Sequence, residues 1–107
     1  MVEIVWTEPA LNDLDAIADY IALDKPDAAR ELVRHVFAHV EQLIDHPDSG
    51  SKPPELPGSR YRQIVEPPCR VFYRKDGGTI YILYVMRGER QFHKDTLSKR
   101  DPGDRDR

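Results

Sequence analysis

Apolar side chains recur along this chain with two periods. Leu11, Leu14, Ile17, Ala18 and Ile21 follow the three- and four-residue spacing of one helical face. Ala29, Leu32, Val33, Val36, Phe37, Val40, Leu43 and Ile44 repeat that spacing over a longer run that extends towards Pro47. Between the runs, Asp24, Lys25 and Pro26 break the pattern, so the spacing predicts two antiparallel neighbouring helices joined by a short turn. The first ends near Leu23. It starts where Thr7 or Glu8 can cap and Pro9 is tolerated in the first turn.

Elsewhere the period is two. Val2–Trp6 reads as a short strand, and Arg60–Glu66, Cys69–Lys75 and Tyr81–Val85 read as a three-stranded antiparallel meander. Asp76 and Gly77 form a favoured hairpin turn, which sets Lys75 against Gly78, Tyr73 against Ile80 and Phe72 against Tyr81. With that register, Cys69, Val71, Tyr73, Ile80, Ile82 and Tyr84 share a core face that Ile64 joins. Phe72, Tyr81, Leu83 and Val85 share the opposite face with Arg70, Arg74 and Arg87, and Tyr61 and Val65 join them. That second face is too apolar for bare solvent and too charged for a core. It requires a cover, supplied by a partner or by the chain's own N-terminal strand or C-terminal tail.

The expected fold is therefore α+β: an N-terminal strand, an antiparallel helical hairpin, then a three-stranded antiparallel meander. The helices pack on one face of a mainly antiparallel four-stranded sheet. Residues 1–93 form the domain, and residues 94–107 are a charged tail expected to fray. Pro47–Ser59 holds four prolines and two glycines and reads as an irregular crossover, either functional or simply extended.

Composition narrows the function classes. A single cysteine, Cys69, excludes an internal disulfide and a cysteine-based zinc site. The absence of a signal-like or membrane-length apolar run leads to the expectation of a cytoplasmic protein with no membrane contact. Net charge is −3, but residues 1–50 carry 3 basic and 11 acidic side chains, whereas residues 51–100 carry 11 and 5. Such a dipolar chain suits a protein partner or a local anionic site better than sequence-specific tracking along nucleic acid.

With this order of elements in view, the residues resemble a family. WTEPALNDLDAIADYI, KPDAARELVRHVFAHVEQLIDHPDSG, ELPGSRYRQI, CRVFYR and IYILYVMRGER together look like the ParE/RelE superfamily of toxins from type II toxin–antitoxin systems. The resemblance spans about Val2 to Arg90 and rests on an ensemble: the aromatic before an acidic, alanine-rich helix start, Pro47 with Gly50, Tyr61 with Arg62, and Arg70 to Arg74. The long helical hairpin and the tyrosine–arginine strands are closer to the ParE branch. This resemblance implies inhibition of DNA gyrase, neutralisation by a ParD-like antitoxin in a hetero-oligomer, and no cofactor. It also implies that Tyr61, Arg70, Phe72, Arg74, Tyr81, Leu83, Arg87 and Arg90 contact the antitoxin or the target.

The enzyme alternative is a RelE-like, ribosome-dependent mRNA interferase, which needs cations for a pentavalent phosphate and a proton-transfer group. Arg62, Arg70, Arg87, Arg90 and His93, with Arg74 and Lys94 nearby, are its candidates. Ribonucleases of the superfamily often end in patterns similar to GHR..VY; here Glu89 stands where a histidine is often found, and His93 is displaced. A third alternative is a non-toxic interaction module in a repressor complex. His35 and His39 share a helical face but lack the glutamate of a zinc-protease motif, and read as solvated; no metal site is expected. Cys69 reads as a small buried hydrophobe, Gly77 and Gly78 as turn glycines.

Overall fold

The computed structural model describes residues 2–88, 91–93 and 95–104, apart from the side chain of Asp104. Strand β1 (Glu3–Trp6) leads into helix α1 (Glu8–Ala22), which α2 (Pro26–Glu41) follows after a short turn. A 3-10 turn, Gln42–Ile44, continues α2. Strands β2 (Tyr61–Glu66), β3 (Cys69–Asp76) and β4 (Thr79–Arg87) come next, then a short helix α3 (Asp95–Arg100) and a 3-10 turn, Pro102–Asp104. The sheet order is β1-β4-β3-β2. β1 lies at the edge, parallel to β4, and the other pairs are antiparallel. The α+β architecture is thus the one expected.

Thr7 occupies the N-cap position of α1, yet its hydroxyl donates to Ile82 O at 2.7 Å rather than capping the helix. It ties the first turn to the sheet. Prolines stand in the first turns of both helices, where backbone N–H groups lack intrahelical acceptors anyway. Ala10 and Leu14 on α1 and Leu32, Val36 and Val40 on α2 are buried against Ile64, Val71, Tyr73, Ile80, Ile82 and Val85. The apolar stripe is narrower than its sequence pattern, because Leu11, Phe37 and Ile44 remain exposed.

Two details of the hairpin differ from expectation. The loop is Gly77–Gly78, with Asp76 paired to Thr79, so every pair near the turn shifts by two residues. Gly77 adopts φ +59°, open to glycine at little cost. A shift of two preserves the faces. A register irregularity between Phe72 and Tyr73 then sets Phe72 against Tyr84 and leaves an extra residue, Leu83, on β4. Beyond it the faces exchange: Val85 enters the helix-side core, whereas Tyr84, expected there, lies on the second face with Met86.

The C-terminal segment also departs from the frayed tail expected from residue 94. α3 lies on the second face, and Leu97 is fully buried there. One apolar anchor suffices to dock so short a helix when ion pairs hold its end.

Candidate functional site: the covered second face of the sheet

On the face away from α1 and α2, Tyr61, Phe72, Leu83 and Met86 form a second core with Leu97, rimmed by Leu56, Tyr81, Tyr84 and Phe92. Phe72 stacks on Tyr84 at 5.6 Å and meets Phe92 at 5.2 Å. The chain itself therefore supplies the cover this face requires, chiefly through α3, the second of the alternatives its composition leaves open.

Both arginines on this face are engaged by the chain's own carboxylates. Arg70 grips Glu55 of the crossover through two bonds of 2.8 Å and donates through Nε to Gln63 at 2.9 Å. Its guanidinium lies 4.9 Å above the Phe72 ring. The hydrogen bond from Arg70 holds Glu55 below the usual carboxylate range. Arg74, almost wholly buried, donates through Nε to Asp101 at 2.7 Å. The same carboxylate accepts from Tyr61 Oη and Arg60 Nη2, each at 3.1 Å, and from the Gly103 amide at 2.9 Å. Burial pushes the Asp101 carboxyl up, but these bonds and the Arg74 charge outweigh it and hold it low. Burial likewise opposes the Arg74 charge, and Asp101 restores it.

A third carboxylate closes the sheet where β1 ends. Asp13 of α1 accepts from the Val85 amide at 3.1 Å and pairs with Arg100, whose guanidinium also donates to Leu83 O at 3.2 Å. Arg100 lies over the Tyr84 ring at 4.7 Å. A side-chain pair thus bonds to the β4 backbone that a longer β1 would have covered.

The expected contact residues fall into three groups. Tyr61, Phe72, Arg74 and Leu83 are buried beneath α3 and its flanks; Tyr81 and Arg70 are half-buried at the rim. Arg87 is on the other side of the sheet, opposite Cys69, with its guanidinium 5.0 Å from the Tyr20 ring on α1. Arg90 lies outside the described residues.

The ribonuclease candidates do not converge. Arg62 pairs across from Tyr73 on the helix side and donates to Gly50 O at 2.8 Å, whereas Arg70 is on the second face. Arg62 and Arg87 share the helix side but stand on strands separated by β3 and near opposite ends of the sheet. His93 is exposed, and Glu89, Arg90 and Lys94 lie outside the described residues. His35 meets Glu31 at 3.6 Å and His39 meets Glu66 at 3.2 Å, so the two histidines have different partners. Among the described residues no cluster of three or more metal-ligating side chains occurs. Cys69 is buried.

Sequence reasoning missed Glu55, Asp101 and Asp13, because each pairs with a residue distant in the chain. The one available signal is arithmetic. Arginines on an apolar strand face need acids, and for Glu55 and Asp101 the crossover and the tail each supply more than one; Asp13, on α1, leaves no such signal.

The sequence model of a family described as the ParE toxin of type II toxin–antitoxin system, parDE, matches residues 4–92. The putative toxin Y4kP of Sinorhizobium fredii is 35% identical over 89 residues, covering 83% of this chain and 91% of that protein. Toxin RelE2 of Caulobacter vibrioides is 31% identical over 91 residues, covering 84% and 99%. Among solved structures, a chain of the chromosomal ParDE TA system from P. aeruginosa superposes with a TM-score of 0.70 at 31% identity, covering 83% of this chain and 98% of that one.

Proposed function

Because the chain belongs to the ParE toxin family of type II toxin–antitoxin systems, we propose that it inhibits DNA gyrase by protein contact. A ParD-like antitoxin neutralises it in the cytoplasm, and its own residues perform no bond-breaking chemistry. The observation that carries this reading is the division of the basic residues by the sheet. Arg62 and Arg87 lie on one side and Arg70 and Arg74 on the other, each with bonds or ring contacts inside the fold. A pentavalent phosphate needs cations and a proton-transfer group around one point, and a toxin that corrupts another enzyme needs neither. No helix among the described residues is long and apolar enough to cross a membrane.

The antitoxin, in this reading, meets the second face through what reaches its surface, Tyr81 and Arg70, and the helix side through Arg87; Arg90, outside the described residues, is a further expected contact. Tyr61, Phe72, Arg74 and Leu83 form the floor that holds those groups. The likeness to a chain of a chromosomal ParDE TA system supports an antitoxin partner. Tyr81→Ala or Arg87→Ala should weaken the complex by more than about 1 kcal/mol if these are anchors.

The identity to Toxin RelE2 favours one competing reading, mRNA cleavage on the ribosome. Purified toxin tested against both targets separates them. Gyrase supercoiling should be inhibited with accumulation of cleaved DNA, ribosome-bound mRNA should stay intact, and His93→Ala should change neither result. Removing a proton-transfer residue lowers cleavage by about 10²–10⁴-fold. Codon-positioned mRNA cuts that vanish in His93→Ala, with supercoiling untouched, would reverse the assignment.

A further inference from the structure

The two edges of the sheet are treated differently. On β2, Gln63 exchanges two backbone hydrogen bonds with Ser51 of the crossover, at 2.8 and 2.9 Å, so that edge is partly occupied. Among the described residues no strand or loop pairs with the outer side of β1. The amides of Glu3 and Thr7 point inward, to Gly78 O at 2.8 Å and Ile82 O at 3.1 Å. By alternation the N–H and C=O groups of Ile4 and Trp6 point outward, along an open edge.

Beside this edge runs an apolar groove of about 370 Å³ lined by Ile4, Trp6, Phe37, Val40, Glu41 and Ile44. Trp6 and Phe37 meet at 4.8 Å, and Phe37 and Ile44 are about two-fifths exposed. The groove continues the helix-side core outward past the last strand. Three exposed acids stand at it or next to its lining: Glu41 in its wall, Glu3 beside Ile4 on the strand and Asp45 beside Ile44; among the described residues none of the three forms an ion pair, whereas Arg34, three residues before Phe37, is paired with Glu31. A second copy pairing edge to edge would bring these acids together, which is unfavourable.

We propose that the β1 edge binds an extended basic and apolar segment of another protein, added beside β1 as a fifth strand. Its backbone bonds to Ile4 and Trp6. Every second side chain enters the Phe37–Ile44 groove, and lysines or arginines between or beside them meet Glu3, Glu41 and Asp45. This surface is separate from the covered second face. Its charge is opposite to that of the arginine-rich strands, so it selects a segment of opposite charge from the one those arginines would take.

Trp6 is the only tryptophan in the chain, so its emission reports on the groove directly. The full-length protein is titrated with a short capped peptide of alternating lysine and valine, with its glutamate–valine counterpart, and with a lysine–valine peptide interrupted by proline. The lysine peptide should shift Trp6 emission saturably, and the other two should bind at least about tenfold more weakly. A Glu3→Lys, Glu41→Lys variant, altered only at exposed positions, should reverse the charge preference. Equal affinity for both charge forms, indifference to the proline, or undiminished lysine-peptide binding by the variant would overturn the proposal. So would absence of any saturable shift, or a Trp6 shift that follows protein concentration without peptide and tracks dimerisation in sedimentation, which would make a second copy the occupant.

Discussion

Asp101 accepts a hydrogen bond from Nε of Arg74 at 2.7 Å, and neither side chain reaches solvent to any real extent. Removing one partner of such a pair strands the other charge in the interior. Asp101→Ala should therefore destabilise the fold by about 3–5 kcal/mol, lowering Tm by roughly 10 °C or more for a domain of this size. Asp76, which also approaches Arg74 at 3.4 Å, is two-thirds exposed. Asp76→Ala should cost no more than about 1 kcal/mol. Thermal melts of the two variants check the contrast.

The same carboxylate predicts an acid limit to stability. Asp101 and Glu55 both have pKa values lowered by folding, so the stability they contribute is present above their unfolded values near about 4 and is lost as pH falls through the folded ones. Tm should hold from pH 7 to about 5 and decline below about 4. Asp101→Asn should start lower and decline less. Parallel curves for the two proteins would remove Asp101 from the acid transition.

Gly50 is required by close approach. A Cβ there would stand 2.6 Å from the Tyr73 hydroxyl oxygen and 2.7 Å from Gln63 O. That hydroxyl accepts from the Gly50 amide at 3.0 Å and donates to Pro47 O at 2.9 Å, so it cannot withdraw without losing both bonds. Gly50→Ala should cost at least about 1–3 kcal/mol by urea denaturation. Gly88→Ala, whose Cβ would meet Pro68 O at an ordinary 3.6 Å, should be close to neutral.

A chain ending at His93 tests the boundary drawn from sequence. It would lack Leu97, which is fully buried, and Asp101. The lost apolar burial alone is worth about 1.5–3 kcal/mol, and Arg74 would lose its buried partner. The truncated chain should bind a hydrophobic dye and melt with low cooperativity, while the full chain should do neither. A cooperative melt near that of the full chain would restore the boundary at residue 93.

The helical hairpin and the alternation of β3 were legible because one face of each is apolar and the other is not. Val36, Val40, Val71 and Tyr73 lie where their periods put them. The extra residue on β4 was not legible, since Leu83, Tyr84, Val85 and Met86 are all apolar or aromatic and fit either face. Parity there is set by pairing, which periodicity does not record. α3 contains one apolar residue among six, Leu97, too few to show a period. The need for a cover over Phe72 could be read from sequence; its identity depended on ion pairs such as Arg74–Asp101, which leave no local trace.

Among the described residues β1 pairs only with β4, and the bond from Thr7 to Ile82 spans 75 residues. During synthesis the first strand therefore emerges without a neighbour. At about 5–20 residues per second it waits on the order of 4–15 s for Thr79–Ile82 to be made. Arg100, which pairs with Asp13 across 87 residues, arrives later still. The molecule's birth order thus runs against its assembly order: a ribosome stalled before β4 holds β1, a helical hairpin and at most the β2–β3 pair, without the strand that joins β1 to the sheet. The four-stranded sheet comes into being only once Thr79–Arg87 has been made.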